Sequence, residues 1–379
     1  MKQTLKKKLL AIEQEGLRRD LKTASSFTGK ELIIEGEKYI NFSSNNYLGL
    51  AMHPRVRTAA MNAVEQYGSS GTSSRLLGGS VSLHRELEKK LAAFKHTEAA
   101  LVFSSGYQAN VGIVSALAGP GDCIIMDRLN HASLWDGAKL SGARVFVYGH
   151  ADANALERVL KRTNNYARKL IITDSVFSMD GDCAPLVDIV HLARRYDAWS
   201  MIDEAHATGV FGETGAGLAE ACGVEGSVDI VMGTLSKALG SQGGFVCGSQ
   251  ELIDYLINRS RAFIYSTSLA PGACAAALEA VEIIRTEPQR RQRLLETARY
   301  LRQKLGCAAD GFISPIIAHI IGPVDETVRV AQQLWTCGVY APAIRPPTVP
   351  EGQCRLRFSL TSDHDLSDIN HLIKSLTAP

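Results

Sequence analysis

The chain has 379 residues, 45% of them apolar and 21% charged, enough for a large globular domain plus a smaller one. A formal charge of +2 with no long basic block gives no case for nucleic acid. The eight cysteines include no Cys-x-x-Cys pair, so they read as free thiols in a reducing compartment, with no metal site expected.

Met1 to about Lys22 shows an amphipathic helical pattern with apolar residues at Leu5, Leu9, Ile12 and Leu17. Glu13 and Glu15 interrupt it, so it is not a secretory signal. No apolar run reaches the roughly 20 residues that a membrane span needs. A cytoplasmic protein without a membrane partner is the expectation. Glu31 to Phe42 alternates like a hairpin or edge segment. The stretch Gly68 to Ser80 is rich in glycine and serine. It is either low-complexity sequence or a close-packed loop of an active site.

From residue 99 short apolar runs alternate with helical patterns. The runs are Ala99–Phe103, Cys123–Met126, Arg144–Tyr148, Leu170–Thr173, Trp199–Asp203, Ile230–Gly233 and Gly244–Cys247. This spacing predicts a largely parallel sheet with crossover helices, an α/β fold. The last two runs are too close for a crossover helix and allow an antiparallel strand. Helices are predicted over Leu252–Arg261 and Gly272–Arg285. After Glu287-Pro288 a smaller α+β domain is predicted, with a helix (Gln289–Leu305), a strand (Ser314–Ile321), a helix (Asp325–Cys337), a loop (Ala343–Pro350), a strand (Arg355–Leu360) and a last helix (Leu366–Leu376) that Asp365 can cap. The divisions are 1–45 for the N-terminal helix and short strands, 46–286 for the large domain and 287–379 for the small one.

In open α/β sheets, ligands gather at the carboxyl ends of the strands. Gly106, Ser178, Asp203, His206, Thr234 and Lys237 all fall at or just after the carboxyl ends of predicted strands. Lys237 lies in the hydroxyl-bearing turn Thr234-Leu235-Ser236-Lys237, where an amine can form a Schiff base with an aldehyde. Asp203 ends an apolar strand and can hold a pyridinium nitrogen, because an opposite charge favours the protonated ring. His206 is placed to reach a phenolic oxygen on such a ring. His131 can stack on the ring, or simply begin a helix. Asp203 and Glu204 point opposite ways if extended, which argues against a carboxylate pair. Ser104-Ser105-Gly106-Tyr107 follows a strand and opens a helix whose N–H groups suit a phosphate, with Tyr107 near the ring. Tyr265-Ser266-Thr267-Ser268 is a further hydroxyl run. These are the requirements of pyridoxal 5′-phosphate, PLP.

Asp203-Glu204-Ala205-His206, Thr234-Leu235-Ser236-Lys237 and Ser105-Gly106-Tyr107 together resemble the α-oxoamine synthases, PLP enzymes of fold type I that join an amino acid to an acyl thioester. The resemblance runs from Asn41 through Leu50 to the last helix. Its most specific segment is Ala343 to Pro350 with Arg355-Leu356-Arg357, while Val176 to Asp182 fits the wider family. It implies that Lys237 carries the cofactor and moves protons. Gly106, Tyr107, Ser178, His206 and Thr234 would contact PLP, and Asp203 would pair with its nitrogen. His131 would stack on the ring and face substrate, with His131 or His206 assisting at the thioester carbonyl. Arg18 and Thr348 would touch substrate, and Arg357 would bind the amino-acid carboxylate. The implied substrates are L-alanine and a pimeloyl thioester, carried by CoA or by acyl carrier protein, for biotin synthesis. A homodimer is implied, with Thr267 reaching the neighbouring subunit's phosphate. The stretch Ser69 to Ser73 holds less glycine than the family loop usually does. The alternatives are a sibling synthase that uses glycine or serine (glycine C-acetyltransferase, 5-aminolevulinate synthase or a serine palmitoyltransferase-like enzyme), an aminotransferase, or a PLP-fold binding protein without activity.

Overall fold

A computed structural model describes residues 1–307 and 311–377. The chain forms two compact units: Met1–Asn45, Met179–Gly181 and Arg293–Pro379 make one, and Asn46–Ser178 with Asp182–Gln292 make the other. The N-terminal segment is thus part of the same unit as the C-terminal one.

The larger unit is built on seven strands: β1 (Ala99–Phe103), β2 (Cys123–Asp127), β3 (Arg144–Tyr148), β4 (Lys169–Asp174), β5 (Trp199–Asp203), β6 (Ile230–Thr234) and β7 (Gly244–Gly248). Their order across the sheet is β1-β7-β6-β5-β4-β2-β3. Only β7 runs antiparallel to its neighbours, as the short β6–β7 connection allows. Every residue of β2, β4, β6 and β7 is buried, the pattern of strands covered on both faces. Ile113, Val114, Leu134 and Phe263 pack from helices onto Leu101, Ile124, Met126, Ile172 and Met201. Helix starts are fixed locally. Ser105, Asp152 and Ser249 each accept a backbone N–H in the first turn of the helices Gly106–Leu117, Ala153–Arg162 and Gln250–Arg259. Pro271 opens Pro271–Thr286, where its missing N–H costs nothing.

The smaller unit holds a four-stranded sheet (Ala24–Phe27, Glu31–Ile34, Glu37–Asn41 and Val339–Tyr340) and a three-stranded one (Ile316–Gly322, Cys354–Ser359 and Ala343–Ile344). Glu35 and Gly36 both have positive φ (54° and 86°), which a two-residue hairpin turn requires. Three expectations need correction, one being the loop expected over Ala343–Pro350, whose first residues Ala343–Ile344 form a strand paired with Cys354–Ser359. The first helix spans only Lys2–Gln14, because the chain turns at Gly16 with φ 66°. The helix expected over Leu252–Arg261 ends at Arg259, and a separate turn, Arg261–Ile264, follows. The last helix, Leu366–Thr377, begins as expected, with Asp365 Oδ1 accepting from the N–H groups of Ser367 (2.8 Å) and Asp368 (3.1 Å). Among the described residues, no helix is long and apolar enough to cross a membrane.

Candidate active site

Asp203 and Asp174 are the last residues of neighbouring strands β5 and β4, and lie directly opposite each other in the parallel register. Asp203 is 3% exposed and its carboxylate is fixed from two sides: Ala205 N–H donates to Oδ1 (2.8 Å) and Asn110 Nδ2 to Oδ2 (2.7 Å). Glu204 turns the other way. It pairs with Lys95 at 2.6 Å where both side chains are at most 2% exposed, and it accepts from Ala219 N–H at 2.9 Å. The reading that these adjacent carboxylates do not act as a pair is matched by this divergence. Glu204 anchors the turn and Asp203 faces the strand ends.

The turn after Asp203 delivers His206. Its Nε2 is 2.9 Å from Lys237 Nζ and its Nδ1 is 2.6 Å from the Tyr47 hydroxyl. When Lys237 is an ammonium, it donates to Nε2, and the proton on Nδ1 goes to the Tyr47 oxygen. Lys237 and His206, singled out separately in the sequence, therefore meet directly. Tyr47 lies within the Asn41–Leu50 segment of the family resemblance, and its contact with His206 gives it a place in the site.

His131 caps the helix Ala132–Ser141. Its backbone N–H donates to Asp174 Oδ2 (2.8 Å), and its Nδ1 lies 2.7 Å from Ser133 Oγ. Ser133 N–H also donates to Nδ1 at 3.3 Å, so Nδ1 is the accepting nitrogen, the Ser133 hydroxyl donates to it, and Nε2 carries the proton of the neutral imidazole; the same hydroxyl accepts from Asn110 Nδ2 at 2.9 Å. The neutral form is favoured: burial lowers the pKa of His131, Lys237 lowers it further, and Asp203 opposes them. The reading that His131 begins a helix is borne out. Asp174 is driven well above the usual carboxyl range, first by burial and then by the charge of Asp203. Asn110 and Asp174 were missed in the sequence. The signal was present, since Asn110 lies one helical turn after Gly106 and Asp174 ends a strand.

At the other end of the site, Ser105 caps the helix that starts at Gly106 by accepting from Gln108 N–H at 3.1 Å. A side chain at Gly106 would press on Met232 and Thr234, and one at Gly244 would strike the Ser105–Gly106 backbone, so this turn lies against the ends of β6 and β7. Thr234 Oγ1 donates to Gly243 O (2.8 Å), and Ser236 Oγ accepts from Gly243 N–H (3.1 Å). Tyr107, half-exposed, donates to Asp136. Beside this turn is a cavity of about 360 Å³ lined by Ser104, Gln108, Gln242, Ser266, Thr267 and Ser268. Gln108 Oε1 and Ser268 Oγ are buried there without a hydrogen-bond partner. The glycine- and serine-rich stretch is tied down at Ser73–Arg75, although most of its residues are exposed: Ser74 bridges to Thr267, Ser268 N–H donates to Ser73 O (3.0 Å), and Arg75 forks onto Glu88 (2.8 and 3.1 Å). Ser178 follows a hairpin strand in which Val176 bridges to Cys183.

The remaining candidates belong to the smaller unit. Arg357, 8% exposed on the strand Cys354–Ser359, donates to Ser359 Oγ (2.8 Å) and Asn45 Oδ1 (3.1 Å). Arg18 pairs with Glu13 at 3.1 Å on the surface, whereas Arg19 donates to Pro346 O at 2.9 Å. Thr348 is exposed and its N–H donates to Arg345 O at 3.1 Å.

The family model for aminotransferase class I and II matches residues 37–376. The chain belongs to that family. An 8-amino-7-oxononanoate synthase of Lysinibacillus sphaericus is 46% identical, over 99% of this chain and 97% of its own length. Among solved structures, a serine palmitoyltransferase variant from S. paucimobilis with a bound PLP–myriocin adduct superposes with a TM-score of 0.93 at 32% identity, over 98% of this chain and 96% of that one. An 8-amino-7-oxononanoate synthase from Francisella tularensis gives a TM-score of 0.78 at 27% identity, covering 89% and 96%. The fold is the fold-type-I arrangement of the family, a large mostly parallel sheet with smaller sheets in a second unit.

Proposed function

We propose that this chain is a PLP-dependent acyltransferase that condenses L-alanine with a pimeloyl thioester, releasing CO2 and the thiol and giving 8-amino-7-oxononanoate. The single observation that carries the reading is the meeting of Lys237 with His206 beside the buried Asp203. The residues present suit the cofactor. Asp203 is a buried charge that calls for a cationic partner such as a protonated pyridine nitrogen. The start of the helix at Gly106 and the unpartnered Ser268 hydroxyl suit a phosphate. When bound, PLP supplies an electron sink for the carbanion at the amino acid's Cα.

Lys237 would hold the cofactor's aldehyde carbon until an amino acid replaces it, and the freed Nζ then takes the proton from alanine's Cα. A hydrogen bond to His206 fixes that amine, and Tyr47 holds His206 in turn. The new bond joins Cα to the thioester carbonyl carbon as the C–S bond breaks. The carboxylate then leaves as CO2, and Lys237 returns a proton to Cα. His131 Nε2–H can donate to the developing carbonyl oxyanion, which its neutral state suits. Thr234, Gly106, Tyr107 and Ser178 are taken as cofactor contacts. Arg357 is taken as the carboxylate ligand, and Arg18 and Thr348 as further substrate contacts. Arg19, with its side chain on Pro346, competes with Arg18 for that role. We assign a homodimer in which Thr267 meets the neighbouring subunit's phosphate, and a cytoplasmic location.

A serine palmitoyltransferase-like reading is favoured by the better superposition on that enzyme. The identity of 46% against 32% weighs for the 8-amino-7-oxononanoate synthase reading. Reconstitution with PLP tests the core of the reading. The wild-type protein should turn yellow, and Lys237→Ala should not show the same reducible, lysine-linked chromophore. Wild-type protein that takes up no PLP would overturn it.

A further inference from the structure

Outside the residues assigned above, His150 is held between two carboxylates. Its Nδ1 faces Asp127 (3.1 Å to Oδ1, 3.3 Å to Oδ2) and its Nε2 faces Asp182 Oδ2 at 2.6 Å. A neutral imidazole has one donor and one lone pair, so one carboxylate would meet a lone pair. With both carboxylates ionised, both nitrogens must therefore carry protons. Burial opposes the charge, but the two carboxylates outweigh it and raise the pKa to about 9.

Each carboxylate belongs to a segment that ends in the site. Asp127 closes β2 fully buried, and also accepts from the N–H groups of Leu129 and Ala151, both at 2.8 Å. The turn it caps runs to His131, two residues beyond Leu129. Asp182 lies in the hairpin that carries Ser178: Phe177 N–H donates to Asp182 O (2.9 Å), and Ala184 N–H to Ser175 O (2.9 Å). The edge of the Phe177 ring meets the His150 ring at 4.3 Å and 87°.

We propose that His150 is a positioning residue whose imidazolium ties the turn delivering His131 to the hairpin delivering Ser178. Without the cation, two carboxylates would face each other across the gap, and the two segments would part. The inference rests on the reading that His131 and Ser178 meet the cofactor.

The test compares wild type, H150Q and the double variant H150Q/D182N. It measures PLP dissociation by absorbance titration, kcat and KM, and thermal melting. H150Q should weaken PLP binding at least about 10-fold and lower kcat, because a cation shared by two carboxylates is lost. D182N in the H150Q background should recover most of that loss, since it removes the repulsion. Unchanged PLP affinity and kcat in H150Q would overturn the proposal. So would a melting temperature that falls in H150Q while PLP affinity and kcat stay at wild-type values, or a failure of D182N to restore either. Wild-type protein that binds no PLP would instead overturn the functional reading, and this proposal with it.

Discussion

Asp203 and His131 are joined by a hydrogen-bonded chain through Asn110 and Ser133, with steps of 2.7, 2.9 and 2.7 Å. One amide thus orients the carboxylate proposed to hold the pyridinium and, through a hydroxyl, sets the tautomer of the imidazole that would lie on the ring. Such a network acts through both ends at once. Asn110→Leu should lower kcat by on the order of 100-fold, comparable with removal of one preorganised donor. Steady-state kinetics with protein of confirmed fold checks this. A change confined to KM would contradict it.

The opposed strand ends, Asp174 and Asp203, cannot both carry charge cheaply. Burial raises the pKa of Asp174, so the folded protein holds its proton above the pH, near 3.9, where an unfolded aspartate would lose it. The folded state therefore binds more protons, and wild-type stability should fall as pH rises from about 4 through the folded value. Asp174→Asn should remove that fall and retain activity, because the amide imitates the protonated acid. Urea midpoints for both proteins across pH give the comparison. A parallel pH dependence in the two would count against it.

The fold and its catalytic end were legible because both arise from local pattern. Apolar runs placed the seven strands to within about a residue or two at each end, and their last residues and the turns that follow supplied Asp203, His206 and Lys237. What was not legible depends on contacts distant in sequence. Tyr47 meets His206 across 159 residues, and Val339–Tyr340 is a strand only because Glu37–Asn41 runs beside it. The first helix was overextended because its apolar spacing continued past Gly16, where the backbone turns.

The Lys95–Glu204 pair supports the turn that carries Asp203 and His206. Lys95→Met leaves Glu204 buried without its cation and should destabilise the protein by about 3–5 kcal/mol. Adding Glu204→Gln should return part of that loss. Chemical unfolding of the two variants checks the order, and a double variant less stable than K95M would contradict it.

The buried thiols should be inert in the folded protein. Burial raises Cys247 and Cys274 to about 12, so almost no thiolate exists at neutral pH. Labelling by a disulfide reagent should be slow at both until denaturant is added. Rapid labelling of either in native protein, read by peptide mass, would contradict the burial described.

The most direct measurement supplies PLP-loaded protein with L-alanine and pimeloyl-CoA and follows free thiol and CO2 together. Release of both should be equal, depend on L-alanine and be lost in Lys237→Ala. Faster turnover with glycine and acetyl-CoA, or with serine and palmitoyl-CoA, would contradict the proposed reaction.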